Sequence, residues 1–409
     1  MRSQALVAAA VVLATAGLVA AGVMSGQRAA GAARSPARVT GAPSSSSTTT
    51  VETTTEPPTT VVDTTVVAET TPSTAPPPPP APRREAAAAP PPPTTAPPPV
   101  VKQPPPRPNR VDPGPAPAPA PGSTAVYPDD APDPFVFHAG SWWYAFTTQH
   151  GLSQVPMLRS PDLQHWEAHG DALPRLPQWA EWGYAWAPSV LARPPGYVLY
   201  YTTRDAATHL QCLSVATSLL PDGPYVDTSS GPFVCQTDRG GSIDPSPFLD
   251  AGGRPWLTWK SEGTVDGEPT RIWSAPLTDD GLHLAGDPHE LLTTSLAWEG
   301  PIVEGPSMLV DGGSYHLLFS GNRWETSDYA IGHAACAGPA GPCTPDPDPM
   351  LGSSATAAGP GGAEVFRGLD GAPMIAYHAW DPSAVGYPAG ARRLHIARLT
   401  VAGGRVSAA

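Results

Sequence analysis

Five related segments recur at nearly even spacing along the C-terminal 283 residues, and this recurrence constrains the fold more than any other feature. They read DPFVF from Asp133, APSVL from Ala187, DPSPF from Asp244, EGPSM from Glu304 and GAEVF from Gly362. Aligned on Asp133, Ser189, Asp244, Glu304 and Glu364, the steps are 56, 55, 60 and 60 residues. Each segment leads through a Gly-containing turn into an aromatic, β-branched run: SWWYAFTT, GYVLYYTT, RPWLTWK, SYHLLFS and APMIAYHAW. Such runs, alternating and bounded by Gly, Pro and Asp, mark strands. Repeats of this length with four short strands each predict an all-β, five-bladed β-propeller. A two-sheet sandwich gives no reason for the even spacing.

In a propeller the first strand of each blade lines the central channel, so equivalent positions converge on one axis. Asp133, Asp244 and Glu304 then face a single pocket from blades one, three and four. Hydrolysis of a glycosidic bond needs two carboxyl groups in different environments, one to protonate the leaving oxygen and one to supply or activate the nucleophile. A third carboxylate tunes the acid by like-charge repulsion. Singly, an Asp before Pro is an ordinary turn residue; the shared register gives these three their weight. Asp129 and Asp130 lie off the repeat and read as loop residues, and Glu299 in AWEGP reads as a rim or turn residue.

The rest of the chain has a different character. All 12 Trp, 11 Tyr and 7 Phe lie at or after Tyr127. A segment without aromatics buries too little apolar surface to offset its ordering entropy. Residues 36–126 are rich in Pro, Thr, Ala and Ser, with PPPPP at 76–80 and PAPAPA at 115–120, and are predicted to be a disordered, extended stalk. Residues 1–35 contain the weakly polar-to-apolar stretch Ala5–Met24 behind Arg2, long enough to span a bilayer, with Ala30-Gly31-Ala32 as a small-residue cleavage site. This predicts export, through either a cleaved signal or an uncleaved anchor. The location is then extracellular or at the cell surface, with the stalk as a membrane or wall tether. The catalytic domain is 127–409.

Charge divides the same way. The first 126 residues carry nine Lys/Arg and six Asp/Glu, and the remainder 14 and 30, a net of −16. An acidic domain argues against nucleic acid as a partner, whereas neutral polysaccharide makes no such demand. Only two lysines occur, Lys102 and Lys260. The four cysteines form no CxxC pair, so a zinc site is not expected, and an even number in an exported chain reads as disulfides. Cys212 with Cys235 and Cys336 with Cys343 is the expected pairing, since each pair falls within one repeat, although three pairings are open.

PDPFVF around Asp133, WAPSV at Trp186–Val190, SIDPSPF around Asp244 and VEGPSM around Glu304 together resemble glycoside hydrolase family 43. YHLLFSGNRWETSDYAIGHA and the fifth-unit GPGG and GAPMIAYH extend the resemblance over about 127–401. It implies a five-bladed propeller and inversion at the anomeric carbon. It also implies arabinanase, arabinofuranosidase or xylosidase activity on arabinose- or xylose-containing polysaccharide. Carried over by motif, Asp133 is the general base, Glu304 the general acid and Asp244 the modulator that tunes and orients it. For inversion the two carboxyls should stand roughly 6.5–9.5 Å apart, leaving room for a water. Trp186, Ser189, Arg323 and His378 are the candidate substrate contacts.

Two departures matter. Many members have a His after Gly-Pro-Gly in blade five that helps to hold a channel calcium; here Gly362 stands there. No cofactor is required on this reading and no metal ligand is assigned. Ser189 stands where many relatives have Asp. The expected protein is a monomer. The competing readings are a non-catalytic sugar-binding propeller, which would not need Glu304, and a retaining, invertase-like hydrolase, whose WMNDPNG-like strand is absent.

Overall fold

The computed structural model describes residues 125–263 and 267–408. The predicted signal or anchor at 1–35 and the stalk up to residue 124 lie outside the described residues. Among the described residues no helix is long and apolar enough to cross a membrane.

Five antiparallel sheets follow one another along the chain. Blade one comprises β1 (Phe135–Ala139), β2 (Trp142–Phe146), β3 (Pro156–Ser160) and β4 (Glu167–Asp171). Blade two has three strands, β5 (Ala180–Arg193), β6 (Gly196–Asp205) and β7 (Gln211–Ser218). Blade three comprises β8 (Ser242–Leu249), β9 (Pro255–Ser261), β10 (Arg271–Pro276) and β11 (His289–Thr293). Blade four comprises β12 (Val303–Asp311), β13 (Ser314–Gly321), β14 (Ala330–Cys336) and β15 (Cys343–Pro345). Blade five comprises β16 (Ala358–Arg367), β17 (Pro373–Trp380), β18 (Arg393–Ala402) and β19 (Arg405–Ala408). The five-bladed propeller expected from the repeat is the fold observed. Blade two departs from four strands: where a fourth would run, only isolated bridges join Val226 to Thr217 and Val234 to Leu213.

The ring closes between the ends of the domain. Tyr127 bridges Leu394 of β18, and the Val126 N–H donates to the Leu394 carbonyl. The innermost strands β1, β5, β8, β12 and β16 pack side by side around one axis.

Five apolar clusters fill the gaps between adjacent blades. Neighbouring residues on one strand serve opposite gaps, as side-chain alternation demands. Tyr201 and Leu199 pack toward blade one, while Tyr200 and Val198 pack toward blade three. Both faces of a blade are therefore buried, which is why runs such as GYVLYYTT are apolar at both parities. Burial of each large side chain contributes about 1.5–3 kcal/mol. Trp143, Trp256 and Trp259, read from sequence as core, are buried. Both expected disulfides are present, Cys212–Cys235 and Cys336–Cys343, the second joining paired positions of β14 and β15.

The structure also corrects the repeat register. One residue within or just before each inner strand adopts a left-handed backbone: Asp133 (φ 51°), Ala187 (41°), Asp244 (57°), Gly305 (54°) and Gly362 (56°). These are the true equivalents. Glu304 precedes its equivalent by one residue, and Ser189 and Glu364 follow theirs by two. For a side chain other than glycine this conformation costs about 1–2 kcal/mol, and a side chain accepts a hydrogen bond from each of the five N–H groups. In four blades the acceptor comes from the end of the preceding blade's second strand or just beyond it. His378 Nδ1 takes the Asp133 N–H (3.1 Å), Thr148 Oγ1 that of Ala187 (2.8 Å), Thr202 Oγ1 that of Asp244 (3.1 Å) and Ser320 Oγ that of Gly362 (3.0 Å). The exception is Gly305, whose N–H donates to Asp244 Oδ2 (2.9 Å).

Candidate active site

Those turns deliver Asp133, Asp244 and Glu304 to one cavity of about 670 Å³ at the head of the channel. Trp186, Arg323, Trp324 and Arg392 also line it.

Asp133 is set up to stay ionised. Its Oδ2 accepts from Thr148 Oγ1 (2.6 Å), and Oδ1 faces the Arg392 guanidinium at 3.5 Å and His378 Nδ1 at 3.3 Å. Burial opposes the charge, but the Arg392 guanidinium first, together with the Thr148 hydrogen bond, outweighs it and holds this carboxyl well below the usual range. Arg392 is itself fixed: its guanidinium lies 4.6 Å from the Trp324 ring centroid and donates through Nε to Tyr387 Oη, while its backbone N–H donates to Asp130. Burial pushes the His378 pKa down, toward the neutral ring whose Nδ1 accepts the Asp133 N–H.

Asp244 behaves in the opposite way. Burial first, and then the Glu304 charge, push its carboxyl up, with Lys260 opposing. Glu304 is buried, and both its oxygens accept hydrogen bonds, Oε1 from Tyr329 (2.8 Å) and Oε2 from Lys260 Nζ (2.9 Å). Burial, followed by the Glu304 and Asp133 charges, raises the Tyr329 pKa, so the phenol remains a donor.

Deeper in the channel stands Glu364. Its Oε2 accepts from Ser246 (2.9 Å) and Ser307 (2.6 Å), which occupy the same repeat position in blades three and four. Burial pushes its pKa up to about 8, against those two bonds.

Of the expected substrate contacts, Trp186 and Arg323 line the cavity. The other two are placed elsewhere. Ser189 is fully buried and donates to the Pro245 carbonyl, because it follows the turn by two residues and points between inner strands. His378 is fully buried behind Asp133, which it holds through the backbone N–H, so it acts on that residue rather than on a ligand. Asp130 lies at the rim, where it accepts from Tyr387 and the Arg392 N–H. Glu299 is buried and caps the Ser295 and Leu296 N–H groups.

Position 362, where many relatives carry the His that helps to hold a channel calcium, cannot supply a side-chain ligand here. A Cβ added at Gly362 would lie 2.5 Å from Asp133 Oδ1 and 2.6 Å from His378 Cε1. No side chain, ligand or otherwise, fits at that position.

Lys260, Tyr329, Arg392, Thr148 and Glu364 were not assigned from sequence. Lys260 carried a signal, as the domain's single lysine at the end of the blade-three strand WLTWK. Tyr329 and Arg392 open the segments YAIGHAAC and RRLHIARL, and nothing in either segment singles them out.

The profile of the glycosyl hydrolases family 43 matches residues 123–405. The β-D-galactofuranosidase xynD of Aspergillus niger is 30% identical over 267 residues, 60% of this chain and 72% of the relative. An extracellular exo-α-(1→5)-L-arabinofuranosidase, ArbA of Cellvibrio japonicus, is 27% identical over 144 residues, 32% of this chain and 41% of its own length. A crystal structure of a thermostable family-43 glycoside hydrolase superposes with a TM-score of 0.63 at 26% identity, covering 70% of this chain and 96% of that one. The chain belongs to glycosyl hydrolase family 43 and is a glycosidase.

Proposed function

We propose that this protein is an exported glycosidase that hydrolyses arabinose- or xylose-containing polysaccharide with inversion. Asp133 is the general base and Glu304 the general acid. Asp133 takes a proton from water as the water oxygen bonds to the anomeric carbon. Glu304 gives its proton to the glycosidic oxygen as the carbon–oxygen bond breaks. The cycle leaves Asp133 protonated and Glu304 ionised, and exchange with solvent resets both. Asp244 orients this machinery through Gly305 and tunes the acid by its charge.

The observation that carries this reading is the contrast within one cavity. Asp133 is held ionised by Arg392, as a base must be. Glu304 faces the same cavity from a buried site, where Tyr329 and Lys260 donate to its two oxygens and its charge bears on Asp244. Two carboxyl groups in different environments are what acid and base roles need. Export is supported by the N-terminal apolar stretch and by the extracellular relative. On this reading the stalk tethers a monomeric domain to membrane or wall.

The galactofuranosidase relative favours a second substrate, a galactofuranose polymer, whose five-membered ring is shared with arabinofuranose. Reducing-sugar release from arabinan, arabinoxylan and a galactofuranose polymer separates the two. Release from arabinan or arabinoxylan, abolished in Glu304→Gln, is the expected result. Release from the galactofuranose polymer alone overturns the pentose assignment. Unchanged activity in a folded Glu304→Gln variant overturns the acid assignment.

A further inference from the structure

We infer that Lys260 is a positioning residue for the acid: its ammonium receives the carboxylate that Glu304 becomes on giving up its proton. The inference rests on the reading of Glu304 as that acid.

The argument starts from the ring of turn contacts. In β6, β13 and β17 the position after the strand's Tyr or Phe carries an acceptor, namely Thr202, Ser320 or His378, for the next blade's turn N–H. In β9 the same position, after Trp259, is Lys260. An ammonium has no lone pair to offer. The Gly305 N–H turns to Asp244 instead, and the Lys260 amine is free to donate toward the cavity. It does so twice, to Glu304 Oε2 at 2.9 Å and to Glu262 Oε2 at 2.7 Å, from a side chain only 3% exposed.

A buried ammonium is tolerated only with a partner. Two carboxylates let Lys260 keep one throughout the cycle. While Glu304 holds its proton, Glu262 is the counter-charge. As the proton leaves, negative charge grows on Glu304 beside a cation that is already in place, with Tyr329 donating to the other oxygen. A donor fixed where charge develops stabilises the transition state without reorganisation. The other carboxyl, imidazole and guanidinium groups lining the cavity are Asp130, Asp133, Asp244, Glu325 and Glu364, which are acidic, with His150, Arg323 and Arg392, of which Arg392 pairs with Asp133 and Arg323 with Glu325. Among the described residues Lys260 is thus the cation in direct contact with the acid.

The test is the pH profile of kcat/KM on 4-nitrophenyl and 2,4-dinitrophenyl arabinofuranosides, which differ in leaving-group quality. Wild type is compared with Lys260→Met, Glu262→Gln and Glu304→Gln. Activity falls on the alkaline side as the acid loses its proton. Removing the cation makes that loss harder, so Lys260→Met moves the alkaline limb up by about one unit or more. Glu262→Gln removes the competing carboxylate and moves the limb down. Limbs that stay in place in both variants overturn the inference. Should Lys260→Met fail to fold, Glu262→Gln decides alone, by the presence or absence of its downward shift. Glu304→Gln separates this outcome from failure of the underlying reading. The acid assignment requires that variant to lose the alkaline limb and to lose far more activity on the poorer leaving group. If it does neither, the acid assignment falls first.

Discussion

Replacing Glu364 with Gln should flatten the protein's stability against pH. Glu364 lies in the channel with its Oε2 on two hydroxyls, and burial raises its pKa from 4.5 to about 8. A carboxyl raised by folding favours the folded state at acid pH. That contribution is complete below about 4.5 and is lost as pH rises toward 8, because the unfolded chain ionises first. At 1.36 kcal/mol per unit, the loss between pH 5 and pH 8 is at most about 3.5 kcal/mol. A domain of this size shifts by roughly 2 °C per kcal/mol, so the effect reaches about 7 °C. Gln keeps a carbonyl for Ser246 and Ser307 but does not titrate. Asp244 is present in both proteins and cancels to first order. Melting is followed by calorimetry at pH 5, 6.5 and 8. The wild-type Tm minus that of Glu364→Gln should fall steadily across the series. Curves that run parallel, or a difference that grows with pH, would refute the argument that this carboxyl is protonated in the channel.

Three further outcomes follow from the site and the disulfides. Because Arg392 holds Asp133 ionised, the acid limb of kcat/KM should lie below the ordinary carboxylate range, and Arg392→Gln should move it upward; a pH profile of the two proteins checks this. Asp133→Asn should lower kcat by about 10²–10⁴ with the melting transition still cooperative, measured by initial rates and circular dichroism. The Cys212–Cys235 bridge closes a span of 23 residues and Cys336–Cys343 one of 7, so loop-closure entropy gives about 3 and about 2 kcal/mol. Paired Cys→Ser variants in urea unfolding should rank in that order.

Much of this was legible in the sequence because a propeller repeats its instructions. Every blade must supply a turn into the channel and an apolar second strand, and these recur as DPFVF with SWWYAFTT or DPSPF with RPWLTWK. The cysteines were legible for the same reason, each pair being close within one unit. The register was read one or two residues off at Glu304, Ser189 and Glu364. The shared property of the turn is a backbone angle, which Asp, Ala and Gly all adopt here, so residue identity is a poor guide to it. What stayed hidden depends on contacts between blades. His378 reads as a candidate substrate contact in AYHAW, yet it lies behind Asp133, more than two hundred residues away in sequence. Arg392 acts through Asp133 and Trp324, and nothing in RRLHIARL marks which arginine reaches the channel.

The most direct test of the acid and base assignment is proton NMR of the first product formed from an α-arabinofuranoside, recorded before mutarotation. With Asp133 activating water on the face opposite Glu304, the β-anomer appears first. An α-anomer as the initial product would mean that a carboxylate attacked the sugar itself, and Asp133 could not hold the role given to it here.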